Sequence, residues 1–90
     1  MKKIEKTFKA LANKKRLEIL SFLSKNKSAS VGELAEKIKT SVKSTSKHLL
    51  ALYHADFLEK ERVRGLTIYS LNDKVGGTES LLLNVLRKHF

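Results

Sequence analysis

Apolar residues recur at helical spacing along most of this chain, and the pattern changes once to one typical of strands. The spacing i, i+3, i+4, i+7 predicts amphipathic helices, and two later runs rich in β-compatible residues predict a hairpin. The predicted elements, in order, are helices over residues 3–12, 14–25, 31–38 and 41–52, strands over 57–63 and 66–71, and a last helix after residue 77. We therefore predict a mainly α domain with a β-hairpin wing (α+β), forming one unit over residues 1–90.

The starts of three helices carry residues that favour N-caps. Asn13 precedes the second predicted helix, and Ser30 with Glu33 has the S-x-x-E form of a capping box. Ser41 can cap the fourth helix, which leaves only residues 39–40 between two helices. A helix, a short turn and a helix predict a helix-turn-helix, whose second helix enters the major groove of DNA.

The fourth predicted helix has two chemically different faces. Thr45, Leu49 and Leu52 recur at i, i+4, i+7 and should face the core. The opposite side carries short polar or cationic side chains and one valine: Val42, Lys43, Ser46 and Lys47. Because no acidic residue occurs between residues 36 and 56, this helix would not repel a polyanion. The pattern indicates contact with nucleic acid, and a solvated amphipathic helix is the alternative.

The charge is strongly positive and unevenly placed. Nineteen Lys and Arg against nine Asp and Glu give a net charge of +10, with clusters over residues 2–16 and 37–47. Such clusters favour binding to a phosphate backbone, whereas a soluble basic protein with solvated lysines is the alternative. Lys14, Lys15 and Arg16 oppose the dipole of their own helix, so either a nearby phosphate or plain solvation is expected there.

Several classes of mechanism lack the residues they need. Cysteine is absent, which excludes disulfides, thiolate metal sites and cysteine nucleophiles. No long apolar run predicts a membrane span, and the charges after Met1 do not fit a signal peptide, so we expect a cytoplasmic protein. No catalytic fingerprint is present, and His48 and His54 are about 240° apart on their helix, so we predict neither an enzyme nor a metal site.

The terminal helices predict an assembly. Each has an apolar stripe that a domain of this size cannot easily cover alone, and a second copy could cover both across a two-fold axis. The predicted dimer-interface residues are Ile4, Phe8, Leu11, Leu82, Val85 and Leu86. We therefore expect a homodimer.

Four segments carry a resemblance to a known family. Residues 8–20 (FKALANKKRLEIL) are similar to its LADPTRLRIL segment, and residues 32–35 are similar to its ELA helix. Residues 46–49 match its S-x-HL signature, and residues 69–71 resemble the end of its second wing strand. On these residues the chain resembles, over residues 8–71, the ArsR family of winged helix-turn-helix repressors.

The resemblance implies a homodimeric, sequence-specific regulator that binds double-stranded DNA at an inverted-repeat operator. The base-contacting positions would be Val42, Lys43, Ser44, Ser46 and Lys47. Arg62 and Arg64, in the wing, would contact phosphates of the DNA. To these we add further candidate phosphate contacts: Lys14, Lys15, Arg16, Ser41 and His48, the last being either a phosphate contact or hydrogen-bonded packing.

The chain also departs from the family pattern. Metal-sensing members carry a Cys-Val-Cys-like motif where this chain has residues 34–36 (LAE). The terminal helix offers only His89, with Glu79 ten residues earlier and roughly 80° around the helix. We therefore predict no metal and no cofactor. Asp56 replaces a frequent glycine, and Thr45 a usual aliphatic residue. A winged-helix protein-interaction module, or a module that binds nucleic acid without sequence preference, is the alternative function.

Overall fold

The computed structural model describes residues 13–72, which form three helices and a three-stranded antiparallel sheet. The elements are α1 (Lys14–Lys25), β1 (Ala29–Ser30), α2 (Val31–Ile38), α3 (Val42–His54), β2 (Leu58–Val63) and β3 (Leu66–Leu71). The predicted helices over residues 14–25, 31–38 and 41–52 are confirmed, as is the hairpin. The two predicted terminal helices lie outside the described residues, and so do all six predicted interface residues.

Each helix begins where its capping residue predicts. The Asn13 side-chain oxygen accepts hydrogen bonds from the backbone N–H groups of Lys15 (2.8 Å) and Arg16 (3.3 Å). The Ser30 hydroxyl accepts from the Glu33 backbone at 3.2 Å, and the Glu33 carboxylate accepts from the Ser30 backbone at 3.1 Å. The Ser41 hydroxyl accepts from the backbone of the third residue of α3 at 3.0 Å. Each cap stabilises its helix by about 1 kcal/mol, which fixes the start of α3.

The sheet contains a strand that the sequence pattern did not predict. β1 pairs with β3, with Ala29 opposite Tyr69 and Ser30 opposite Ile68. The strand order is β1-β3-β2, so the expected two-stranded wing is one part of a three-stranded sheet. β1 is too short to show an alternating pattern, and its second residue is also the N-cap of α2. The sheet thus joins the helix-turn-helix directly to the wing.

Residues in the left-handed region close three of the connections. Lys39 (φ 56°) ends α2, and Asp56 (φ 68°) follows α3, where the family often has glycine. The turn between β2 and β3 places both Arg64 (φ 51°) and Gly65 (φ 82°) at positive φ. Two central residues with positive φ are typical of the type I′ turn, whose twist matches that of the flanking strands. This turn fixes the register of the wing.

The core lies between the three helices and the sheet. Leu20, Leu34, Leu49 and Leu52 are fully buried, and Phe57 is buried as a core residue rather than as the first residue of β2. Fully burying each such side chain contributes about 1.5–3 kcal/mol. The buried hydroxyl of Thr45 donates to the Ser41 carbonyl at 2.8 Å, so its polar group has a partner inside the core. These contacts hold α3 in a fixed orientation.

Candidate nucleic-acid interface

Helix α3 presents the two faces that its sequence predicts. Thr45, Leu49 and Leu52 are buried, whereas Lys43 and Lys47 are exposed and Val42 retains 57% of its surface. At the edges of the exposed face, Ser44 and Ser46 are half-buried. The predicted positions are therefore at the surface of the domain, where a ligand can reach them.

The exposed face of α3 is electrostatically suited to an anion. α3 contains no acidic residue. Within residues 13–72, the ammonium groups of Lys43 and Lys47 form no ion pair and no hydrogen bond. Lysines and short hydroxyl side chains can donate to phosphates and base edges, and the apolar Val42 can contact a thymine methyl group. The face can therefore contact both the backbone and the bases of a duplex.

The first turn of α1 uses two of its cations inside the protein. Lys15 donates from its ammonium to the carbonyl of Ile38, the last residue of α2, and pairs with Glu18 at 3.7 Å. Lys14 is exposed to solvent. An external anion was one of two expectations for this turn. For Lys15 the structure shows an internal partner at the negative end of the α2 dipole.

Arg16 connects α1 to α3. Its Nε donates a hydrogen bond to Nδ1 of His48 at 3.2 Å. Partial burial, together with the positive charges of Arg16 and Lys15, lowers the pKa of His48 below its usual value. The imidazole is therefore neutral near pH 7, with its proton on Nε2 and its Nδ1 free to accept. This hydrogen bond fits one of the two roles expected of His48, hydrogen-bonded packing.

The wing separates its charges by face. Arg62 lies opposite Thr67 and donates to its hydroxyl at 3.2 Å. Because alternate residues of a strand point to opposite faces, Lys60 and Arg62 share one face of β2 and the two glutamates at positions 59 and 61 share the other. The ammonium of Lys60 lies 4.4 Å from the centre of the Tyr53 ring on α3. One side of the wing is thus basic and anchored to α3, and Arg64 occupies the exposed turn.

Several contacts of this surface were missing from the sequence predictions. Thr67 was not identified, although a two-residue turn at residues 64–65 sets its pairing with Arg62. The Arg16–His48 contact joins residues 32 positions apart, and the Lys60–Tyr53 contact joins strand β2 to helix α3, so no helical or strand periodicity signals either contact. His54 lies edge-on to Tyr53, with ring centres 5.5 Å apart.

The same described part of the chain contains neither a metal-binding cluster nor a membrane-spanning helix. Residues 13–72 contain no group of three or more His, Asp or Glu side chains placed to hold a metal ion. Across this range, no helix is both long enough and apolar enough to cross a membrane.

The family described as "Bacterial regulatory protein, arsR family" matches residues 13–60, which is more than half of the chain. The chain belongs to the ArsR family. It is accordingly a DNA-binding transcriptional regulator, and the resemblance found in the sequence is confirmed. The matched residues include all of α1, α2 and α3, so they cover the whole helix-turn-helix.

Relatives of this ArsR-family chain cover most of its length. The arsenical resistance operon repressor of Bacillus subtilis (strain 168) is 36% identical over 74 residues, which are 82% of this chain and 70% of that protein. Reduced HlyU from Vibrio cholerae N16961 is 27% identical with a TM-score of 0.81, covering 98% of this chain and 88% of HlyU. A homodimeric winged helix-turn-helix DNA-binding domain from Mycobacterium bovis shares the fold, at 24% identity and a TM-score of 0.80, over 98% of this chain and 78% of that one.

Proposed function

We propose that this ArsR-family protein is a cytoplasmic, homodimeric repressor that places α3 in the major groove of an inverted-repeat operator. The observation that carries the proposal is the exposed face of α3, where Lys43 and Lys47 have no partner within the described part of the chain. A buried stripe on the other side of the same helix holds this face in a fixed orientation. Binding at an operator would exclude other proteins from the same DNA.

Base reading belongs to the exposed face and its edges. We assign it to Val42, Lys43, Ser44, Ser46 and Lys47, because these residues lie at the surface near the N-terminus of α3. Phosphate contact is assigned to Lys14, Ser41, Arg62 and Arg64, which are exposed at the start of α1, at the N-cap of α3 or on the wing. Lys15, Arg16 and His48 act indirectly in this assignment, because Lys15 is bonded to Ile38 of α2 and Arg16 is bonded to His48 of α3.

The homodimer is supported by the apolar stripes in the sequence of the terminal segments. A dimer that places its two α3 helices roughly 34–36 Å apart could read successive major grooves on one face of a duplex. The Mycobacterium bovis domain of the same fold is homodimeric, and the Bacillus subtilis relative is an operon repressor. Both properties are part of our proposal for this chain.

The function is tested by selecting a preferred duplex from a random pool and measuring its affinity by gel shift. Lys43→Ala and Ser46→Ala should weaken binding to the preferred duplex far more than binding to random duplex. The expected loss is roughly 1–3 kcal/mol for each lost base contact. Lys27→Ala is the matched control, since Lys27 is exposed in the loop between α1 and β1. Equal losses on both duplexes would indicate binding without base reading.

The same measurement separates the alternative functions. Affinity for the operator should fall steeply as salt rises, because phosphate contacts release counterions. A chain that binds no duplex even at low salt would instead be a protein-interaction module. A chain that prefers no sequence in competition with random duplex would be an architectural protein.

Assembly needs its own experiment. A chain carrying both Leu82→Glu and Leu86→Glu should sediment as a monomer, or unfold, and lose operator affinity by more than any single base contact. Circular dichroism distinguishes a folded monomer from an unfolded chain. A wild-type chain that is monomeric, yet binds a single half-site with full affinity, would contradict the proposed dimer.

A further inference from the structure

A groove of about 500 Å³ runs between α1 and the C-terminal end of α2, apart from the exposed face of α3. One wall is a stripe of α1 that includes Lys15, Glu18, Phe22 and Lys25, at the spacing that keeps side chains on one helix face. The other wall is the end of α2, with Lys37 and Lys39. The volume is within the range of pockets that hold small organic ligands.

The charge of this groove indicates the ligand. Four lysines line it, against the single carboxylate of Glu18, which is itself paired with Lys15 at 3.7 Å. A lysine ammonium binds phosphate as a point charge with three donors. The half-buried Phe22 adds an apolar aromatic wall among these cations. A ligand that carries both a phosphate and an aromatic ring complements the two features together.

The groove is connected to the DNA-reading surface through Lys15. Its ammonium crosses from α1 to the carbonyl of Ile38, and the chain continues from there through the turn at Lys39 into Ser41, the N-cap of α3. A phosphate in the groove would compete with this neutral carbonyl for the ammonium. Drawing Lys15 away would release one of the contacts between α1 and the turn that orients α3.

We propose that this groove binds a small phosphorylated aromatic ligand of the mononucleotide type, and that binding changes operator affinity by withdrawing Lys15 from Ile38. Ligand binding itself is independent of the proposed function, whereas its effect on the operator rests on that function. The two parts are therefore tested separately, first without DNA and then with it.

Calorimetry without DNA, at constant ionic strength, tests the site with AMP as the probe. We expect saturable binding at one site per chain, with adenosine and inorganic phosphate each binding at least about tenfold more weakly, because each lacks one of the two complementary groups. Lys37→Glu should weaken AMP binding about tenfold or more. The matched charge reversal Lys27→Glu, in the exposed loop outside the groove, should change it less than about twofold.

Two results would overturn the site. One is no saturable AMP binding to a folded wild-type chain, and the other is an equal loss in Lys37→Glu and Lys27→Glu, which would indicate only non-specific attraction to a basic protein. If Lys37→Glu instead weakens binding to every duplex, and the wild-type chain binds no AMP, the groove lysines contact the DNA backbone. The small-ligand proposal is then wrong.

Operator binding tests whether AMP in the groove changes the affinity for DNA through Lys15. AMP should shift the operator affinity of the wild-type chain and should leave that of Lys15→Met unchanged, although Lys15→Met still binds AMP with reduced affinity. Retention of the shift in Lys15→Met would refute the route through Ile38. Should no preferred operator exist, the calorimetric result would still stand, so failure of the proposed function can be distinguished from failure of the site.

Discussion

The first turn of α1 and the exposed face of α3 look alike in sequence and differ in their contacts. Both carry neighbouring cations and neither contains an acidic residue in its first turn. In α1, Lys15 donates to the end of α2 and Arg16 to His48 of α3. In α3, Lys43 and Lys47 extend to solvent without a partner within the described residues.

This difference assigns the two basic regions different tasks. Lys15 and Arg16 at the start of α1 bond to the two helices of the helix-turn-helix, and we propose that the cations on α3 remain available for DNA. A count of positive charges cannot separate a positioning group from a binding group, because the separation depends on which acceptor lies within reach.

The largest effect is expected on the exposed face of α3. Replacing both Lys43 and Lys47 by alanine should weaken binding to the preferred operator by roughly 30-fold or more, since each of the two lost base contacts is worth roughly 1–3 kcal/mol. The free energy of unfolding should change by less than about 0.5 kcal/mol, as expected for surface substitutions. Gel shift and urea denaturation measure the two quantities. A large loss of stability would mean that these lysines are not free to bind DNA.

A smaller effect, on the free energy of unfolding, is expected for the pair Arg16 and His48. A double-mutant cycle with Arg16→Leu and His48→Leu should give a coupling of about 0.5–1.5 kcal/mol in the free energy of unfolding. His48→Asn keeps an acceptor near the position of Nδ1 and should retain part of that coupling. Additive effects of the two leucine variants would show that the hydrogen bond does not join α1 to α3 in solution.

A pH effect should accompany this contact. Because folding lowers the pKa of His48, the folded state disfavours its protonated form, and the stability contribution is full above the unfolded value of about 6.5. That contribution should be lost as the pH falls from about 6.5 through the lower folded pKa. His48→Asn should flatten this part of the stability profile, whereas His54→Asn, at an exposed position, serves as the control. Identical slopes in wild type and His48→Asn would contradict this origin.

The smallest effect is expected for Lys15. Lys15→Met should lower the free energy of unfolding by up to about 1 kcal/mol, because the ion pair with Glu18 is partly exposed and only the bond to Ile38 joins two helices. Sequence preference in a selection experiment should stay the same. An altered preferred sequence would place Lys15 on the DNA rather than inside the protein.

Sequence information was sufficient where the determinant is local. The caps at Asn13, Ser30 and Ser41 depend on side chains that bond within three residues, so the starts of all three described helices could be predicted. The buried stripe of α3 follows from periodicity alone. Asp56 could be expected in the left-handed region because its short polar side chain tolerates that conformation.

Sequence information was insufficient where tertiary contacts decide. β1 is defined by its pairing with β3 rather than by any pattern of its own. Arg16 is a positioning cation whereas Lys43 is an exposed one, and this distinction depends on His48 lying beside Arg16. The groove between α1 and α2 depends on where the end of α2 meets α1, which no stretch of sequence specifies.

The pairing of β1 with β3 also has a kinetic consequence. Residues 29–30 and 68–69 close a loop that encloses all of α2, α3 and β2. Contacts so distant in sequence form late, after the entropy of closing the loop has been overcome. We expect the amide hydrogens of this pairing to exchange with solvent together with those of α3. The DNA-reading helix and the wing would then open as one cooperative unit rather than separately.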